Sequence, residues 1–180
     1  ALSNRRLTIN GAMAVSQRGS VAGLQSGYTA IDRFKCNSNS AARFDTSQST
    51  DVPSGQGFAN SLKLDCSTAD TSLAAGDFYH VQQSIEGANL KQLLYGTSSA
   101  KQCTLSFWVK SPKTGIHNFE INHIDGSKFN IYQYTIASAN TWQKVSFTFD
   151  GNTAAVINND NTAGLVVVWW LLGGSTYTGG

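Results

Sequence analysis

Five aromatic side chains, Trp108, Tyr132, Tyr134, Trp142 and Trp170, stand among polar residues in short strand-like runs. Flat rings of this kind stack on the C–H faces of sugars, and neighbouring amides bond the hydroxyls. Gln82 and Asn122 are the amides placed to do so, with Gln83, Asn118 and Asn130 as further candidates. The competing role for each ring is packing, either over the second face of a sheet or between subunits.

Other chemistries find less support. His80, His117 and His123 lie in strand-like runs, and His117 and His123 are spaced to share a face. No third ligand follows from spacing, so ordinary structural histidines are expected. Glycoside hydrolysis needs two carboxylates across a cleft. Asp65, Asp70, Asp77, Glu86, Glu120, Asp125 and Asp150 are scattered, and turn chemistry accounts for most of the aspartates. Asp70 and Asp77 flank a loop, Thr71 to Gly76, where calcium is the one candidate ion; no EF-hand pattern occurs. Cys36, Cys66 and Cys103 match no zinc spacing and have no histidine near in sequence. Nucleophile-elbow, dinucleotide and phosphate-loop motifs are absent. The residues therefore predict no catalysis and no cofactor.

The elements that must position these side chains are short strands with period-two alternation. They are read at Ala30–Cys36, Ala41–Thr46, Ser61–Cys66, Tyr79–Ile85, Cys103–Lys110, His117–Ile124, Lys128–Ala137, Gln143–Phe149 and Leu165–Leu172. Asp125-Gly126 marks a hairpin, Ser111-Pro112 ends one strand and Asp150-Gly151-Asn152 another. One short helix is predicted over Ala88–Tyr95, with Leu90, Leu93 and Leu94 on its apolar face and Gly96 beyond its end. Leu105, Phe107 and Val109 share a face, opposite Trp108. Val145, Phe147 and Phe149 point to the core, while Phe129 and Ile131 oppose Tyr132 and Tyr134. Leu165–Leu172 is apolar on both faces, so something must cover each side. The fold class is all-β, an antiparallel β-sandwich with one short helix. Residues 1–29 read as a lead segment and 30–180 as the sandwich domain.

Composition narrows the function classes. Charged residues make up 13% of the 180, hydrophobic residues 41% and aromatic residues 11%. A core is affordable, and the polar but weakly charged surface suits an extracellular or virion protein. Thirteen basic and eleven acidic side chains give a net charge of +2, and no basic cluster exceeds Arg5–Arg6. Neither nucleic-acid binding nor membrane insertion is expected.

Several stretches in order resemble one group of proteins. Asn10-Gly11, Gln17-Arg18-Gly19, and Tyr28, Thr29, Ala30, Asp32, Arg33 and Phe34 come first. YHVQQSIEG, LSFWVKSPKTG, TWQKVSFTFDGNT and GLVVVWWLLGGSTYTGG follow. The chain resembles the carbohydrate-binding-module-like, galactose-binding-like jelly-roll domains of bacteriophage tail fibres and virion appendages. It departs from them in an extra Ile31 and in Phe34 where tryptophan is usual, and the resemblance implies closing strands beyond Gly180. The resemblance implies a jelly roll in the virion, assembled in the host cytoplasm, non-enzymatic and attached to cell-surface polysaccharide. It also implies a homo-oligomer, a trimer foremost, in contact with other virion proteins. The alternatives are a purely structural capsid decoration or head-fibre protein, and a bacterial carbohydrate-binding module.

Overall fold

The period-two alternation of the sequence emerges as strands, and no α-helix occurs among the described residues. The structure is a computed structural model, and it describes residues 6–177. Arg5 of the basic pair and the closing residues 178–180 of the last motif lie outside the described residues. The early strands are β1 (Val21–Leu24), β2 (Gly27–Tyr28), β3 (Lys35–Ser38), β4 (Arg43–Ser49), β5 (Ser61–Thr68) and β6 (Phe78–Glu86). The later ones are β7 (Cys103–Val109), β8 (Gly115–His123), β9 (Lys128–Ile136), β10 (Gln143–Phe149) and β11 (Ala163–Gly173). The fold is all-β with antiparallel sheets in a sandwich-like arrangement. No helix among the described residues is long and apolar enough to cross a membrane.

The chain divides into two units. The central unit runs from Ser84 to Val167, together with residues 6–8. Here β7 and β10 pair antiparallel, with Leu105 opposite Phe147 and Phe107 opposite Val145. Their inner side chains meet the β8–β9 hairpin. The Phe119 ring lies 5.8 Å from Phe107 and 5.3 Å from Phe147, both edge to face. Phe119 is fully buried, a burial that contributes about 1.5–3 kcal/mol. Lys144, Ser146 and Thr148 face out, as the alternation requires. The hairpin turns at Asp125-Gly126, where Ser127 N–H donates to the Ile124 carbonyl at 3.1 Å. Gly126 is required by a close approach: a Cβ there would sit 2.5 Å from the Cβ of Ala155.

The N-terminal unit holds Ile9–Gln83 and residues 168–177. β4 lies between β1 and β5, and β3 between β2 and β6. Ile31, Phe34, Cys36, Ala42, Tyr79 and Val81 form its core. The two sets of strands meet where the Phe44 and Tyr79 rings lie 4.5 Å apart. The Tyr79 hydroxyl donates to the Leu24 carbonyl at 2.8 Å, satisfying a buried polar group.

Three sequence expectations need correction. The strand read at Ala30–Cys36 starts only at Lys35. Residues 29–34 instead form a turn, closed by Thr29 N–H to the Phe34 carbonyl at 3.0 Å, with Arg33 at φ 75°. Ala30, Ile31 and Phe34 are buried without alternating, so their apolarity mimicked a strand. The helix at Ala88–Tyr95 is two short 3-10 turns, Gly87–Asn89 and Lys91–Leu93. Gly87 and Ala88 donate to the carbonyls of Thr162 and Asp160, and Leu94 turns left-handed at φ 54°, which stops a helix from propagating. Leu90 and Leu93 are buried as expected, but Leu94 is 43% exposed. The lead segment, residues 1–29, is not without strands: β1 and β2 form within it. In the central unit the first half of β11 is covered: Leu165–Val167 are buried, and Ile157 and Leu90 press on Gly164; further along the strand Leu171 is 40% exposed.

Candidate functional site

In the central unit, Phe107, Phe119, Tyr132, Tyr134, Phe147 and Phe149 form one ring cluster. Tyr132 stacks on Phe119 at 5.0 Å and tilts against Phe149 at 6.0 Å. At this end the cluster opens to solvent through a groove of about 490 Å3. Asn130 and Tyr132 of β9, Thr148 and Phe149 of β10, and the turn Asp150, Gly151, Asn152 and Thr153 line it.

The local sequence explains the groove. Asn130 and Tyr132 lie two apart on β9 and so share its inner face. Beyond Phe149 the chain turns at Asp150-Gly151-Asn152. The Asn152 carboxamide oxygen accepts from the backbone N–H groups of Ala154 and Ala155 at 2.9 and 2.8 Å, which holds the turn. Gly151 is obligatory, since a Cβ would come within 2.5 Å of the Ala100 backbone.

Most polar groups on the groove wall are uncommitted. Asp150 accepts a 3.0 Å bond from the Gln102 amide through one carboxylate oxygen only. Among the described residues, no hydrogen bond engages the Asn130 amide, the Asn152 amide nitrogen or the Thr153 hydroxyl. The Thr148 hydroxyl shares a 2.9 Å bond with Thr104. Burial, and secondarily the charge of Asp150, holds the Tyr132 phenol above its ordinary pKa, so it stays a neutral donor. Behind it, the Tyr95 hydroxyl donates to Cys103 Sγ at 3.5 Å, and burial raises its pKa strongly. His123 lies under Tyr95 at 5.4 Å, and burial lowers its pKa.

The structure disperses the other sequence candidates. Tyr134 is half-buried and packs between Phe107 and His117, and burial pushes its phenol up to about 12. Trp108 is half-buried on the opposite face of β7, across from Lys144. Trp142 lies under Lys110, whose Nζ is 6.0 Å from the ring centre. Asn122 donates to Glu120 at 3.0 Å. Trp170 is in the N-terminal unit, 5.3 Å from His80 and 5.1 Å from Tyr177, and Gln82 bonds His80 Nε2 at 2.9 Å. Only Tyr132 of the candidate set lines the groove; Asn130 joins it from the wider list of amides. Thr148, Asn152 and Thr153 carried no signal beyond a strand end and its turn. Asp70 accepts from the N–H groups of Ala41 and Ser72, and Asp77 from that of Ala74, so both carboxylates tie down loops. Among the described residues, no group of three or more His, Cys, Asp or Glu side chains is placed to hold a metal.

Fold and groove together define an all-β domain with a small, open, polar-walled aromatic site. No protein-family model and no curated protein matches the chain. Among solved structures it is similar to the enzymatically active domain of bacteriophage CBA120 tailspike protein 4, with a TM-score of 0.53 and 15% identity. The likeness covers 92% of this chain and 20% of that one, so the chain spans about a fifth of the tailspike's length. The two share a fold.

Proposed function

We propose that this chain is a non-enzymatic domain of a phage virion, of tail-fibre type, that attaches to cell-surface glycans through the groove beside Tyr132. The observation that carries this reading is the convergence of uncommitted polar groups on Asp150, Asn130, Asn152 and Thr153 beside the half-buried rings of Tyr132 and Phe149. Sugars need that pairing of ring and directed bonds. The fold shared with a phage tailspike supports the virion setting. That neighbour is described as enzymatically active, but the groove here presents a single carboxylate where hydrolysis takes two. A glycan array probed with the folded chain is expected to show discrete hits that Asn130→Ala with Thr153→Ala weakens, with no reducing ends released. An array without hits, or hits indifferent to both substitutions, overturns the assignment.

A specific surface favours a second, structural reading. On the outer face of β8–β9, Ile116, Phe129 and Ile131 are 67%, 63% and 50% exposed. Apolar side chains grouped on one face of an edge hairpin suit burial against sister subunits in a homo-oligomer, a trimer in a fibre or capsid decoration. Light scattering on a sizing column decides: a trimer lost in Phe129→Ser with Ile131→Lys supports it, and a monomer at high concentration removes it.

A further inference from the structure

The groove's charge goes further than its shape. Of its wall residues, Asp150 alone is ionised, and no lysine, arginine or histidine lines it. One carboxylate oxygen of Asp150 is held by a neutral amide, Gln102, and the other has no hydrogen bond among the described residues. A bare carboxylate beside a raised tyrosine phenol accepts from hydroxyl, amide N–H or ammonium groups and repels a second carboxylate. The surrounding Asn130, Asn152 and Thr153 serve neutral hydroxyls equally well as donors or acceptors, so they add affinity without charge preference.

Resting on the glycan-binding reading above, we infer that the groove selects non-acidic sugars, with protonated amino sugars preferred over neutral ones and carboxylated sugars excluded, and that Asp150 sets this selection. A surface carboxylate has moderate reach in salt, so discrimination arises only from direct contact and weakens as ionic strength rises. The full chain is tested by calorimetry against three oligosaccharide probes: chitosan oligomers, chitin oligomers and oligogalacturonate. The expected order is chitosan first, chitin next and oligogalacturonate last, with about tenfold between the first two. Asp150→Asn should bring the affinities for chitosan and chitin within about twofold of each other, since the charge that separates them is gone while a polar side chain of the same shape remains. Equal binding of acidic and neutral probes by the native chain, or discrimination unchanged in Asp150→Asn, overturns the charge selection while sugar binding stands. Failure of every probe, with an empty glycan array, removes the glycan reading and this inference with it. Melting temperature measured alongside separates loss of contact from loss of fold: the variant is expected to melt within a few degrees of the native chain.

Discussion

Two of the aromatic clusters among the described residues differ in character. In the N-terminal unit, Phe78 stacks on His80 at 5.3 Å, Trp170 meets both rings, and Tyr177 closes over Phe78 and Trp170 at 5.9 and 5.1 Å. The polar neighbour Gln82 is spent on His80. In the central unit, the rings around Phe119 run out to a turn whose polar groups face water with few partners. Ring number does not separate a packing cluster from a binding wall. What separates them is whether the polar groups at the margin are buried in the packing, as His80 is, or face solvent, as Asp150 does.

The sharpest way to break this contrast is to remove the centre of each cluster. Phe119→Ala empties a fully buried site and is expected to cost ~3–5 kcal/mol in denaturant unfolding. Trp170→Ala, from a half-buried position, should cost clearly less. Equal losses would mean the two clusters bear equally on the core.

Acid tests what the two units have in common. Each has one buried histidine, His80 and His123, whose Nδ1 has no hydrogen-bond partner among the described residues. Burial lowers both pKa values below 6.5, with the Gln82 bond partly opposing this at His80. The unfolded chain therefore takes up these protons first. Stability from this source is complete above pH 6.5 and is lost as pH falls from there toward the lowered folded values. Each histidine adds at most about 1.4 kcal/mol per pH unit to the slope. Chemical denaturation at pH 7.5 and 5.5 should show the loss, and His123→Gln should reduce it; a flat profile would contradict the burial.

The smallest effects separate two tyrosine hydroxyls. Tyr79→Phe strands the Leu24 carbonyl and is expected to cost about 1 kcal/mol of stability. Tyr132→Phe, at the groove, should change stability by less than ~0.5 kcal/mol while weakening sugar binding. Reversed roles would move the functional surface away from the groove.

Much of the fold was legible because alternation is a local signal. β6 through β11 lie within a few residues of where apolar periodicity places them, and the Asp125-Gly126 turn forms its hairpin. The facing of Phe107, Val145 and Phe147 followed from strand parity alone. Parity misleads where apolar residues are buried in a turn, as at Ala30, Ile31 and Phe34, or where hydrogen bonds from distant chain pin a helical segment, as at Gly87 and Ala88. The site was legible only in part. Tyr132 and Asn130 stand out as ring and amide, but Asp150, Asn152 and Thr153 look like any strand-ending turn.

By itself the sequence determined which stretches become strands, which faces are apolar and that aromatic and amide side chains abound without catalytic motifs. Only the tertiary structure decided which rings are taken up in packing, as Tyr134 is between Phe107 and His117, and which line the groove beside free polar groups, as Tyr132 does. The physical reason is separation along the chain. The β9 residues and the turn after β10 come together only when both strands pack around Phe119, and no local pattern encodes that meeting.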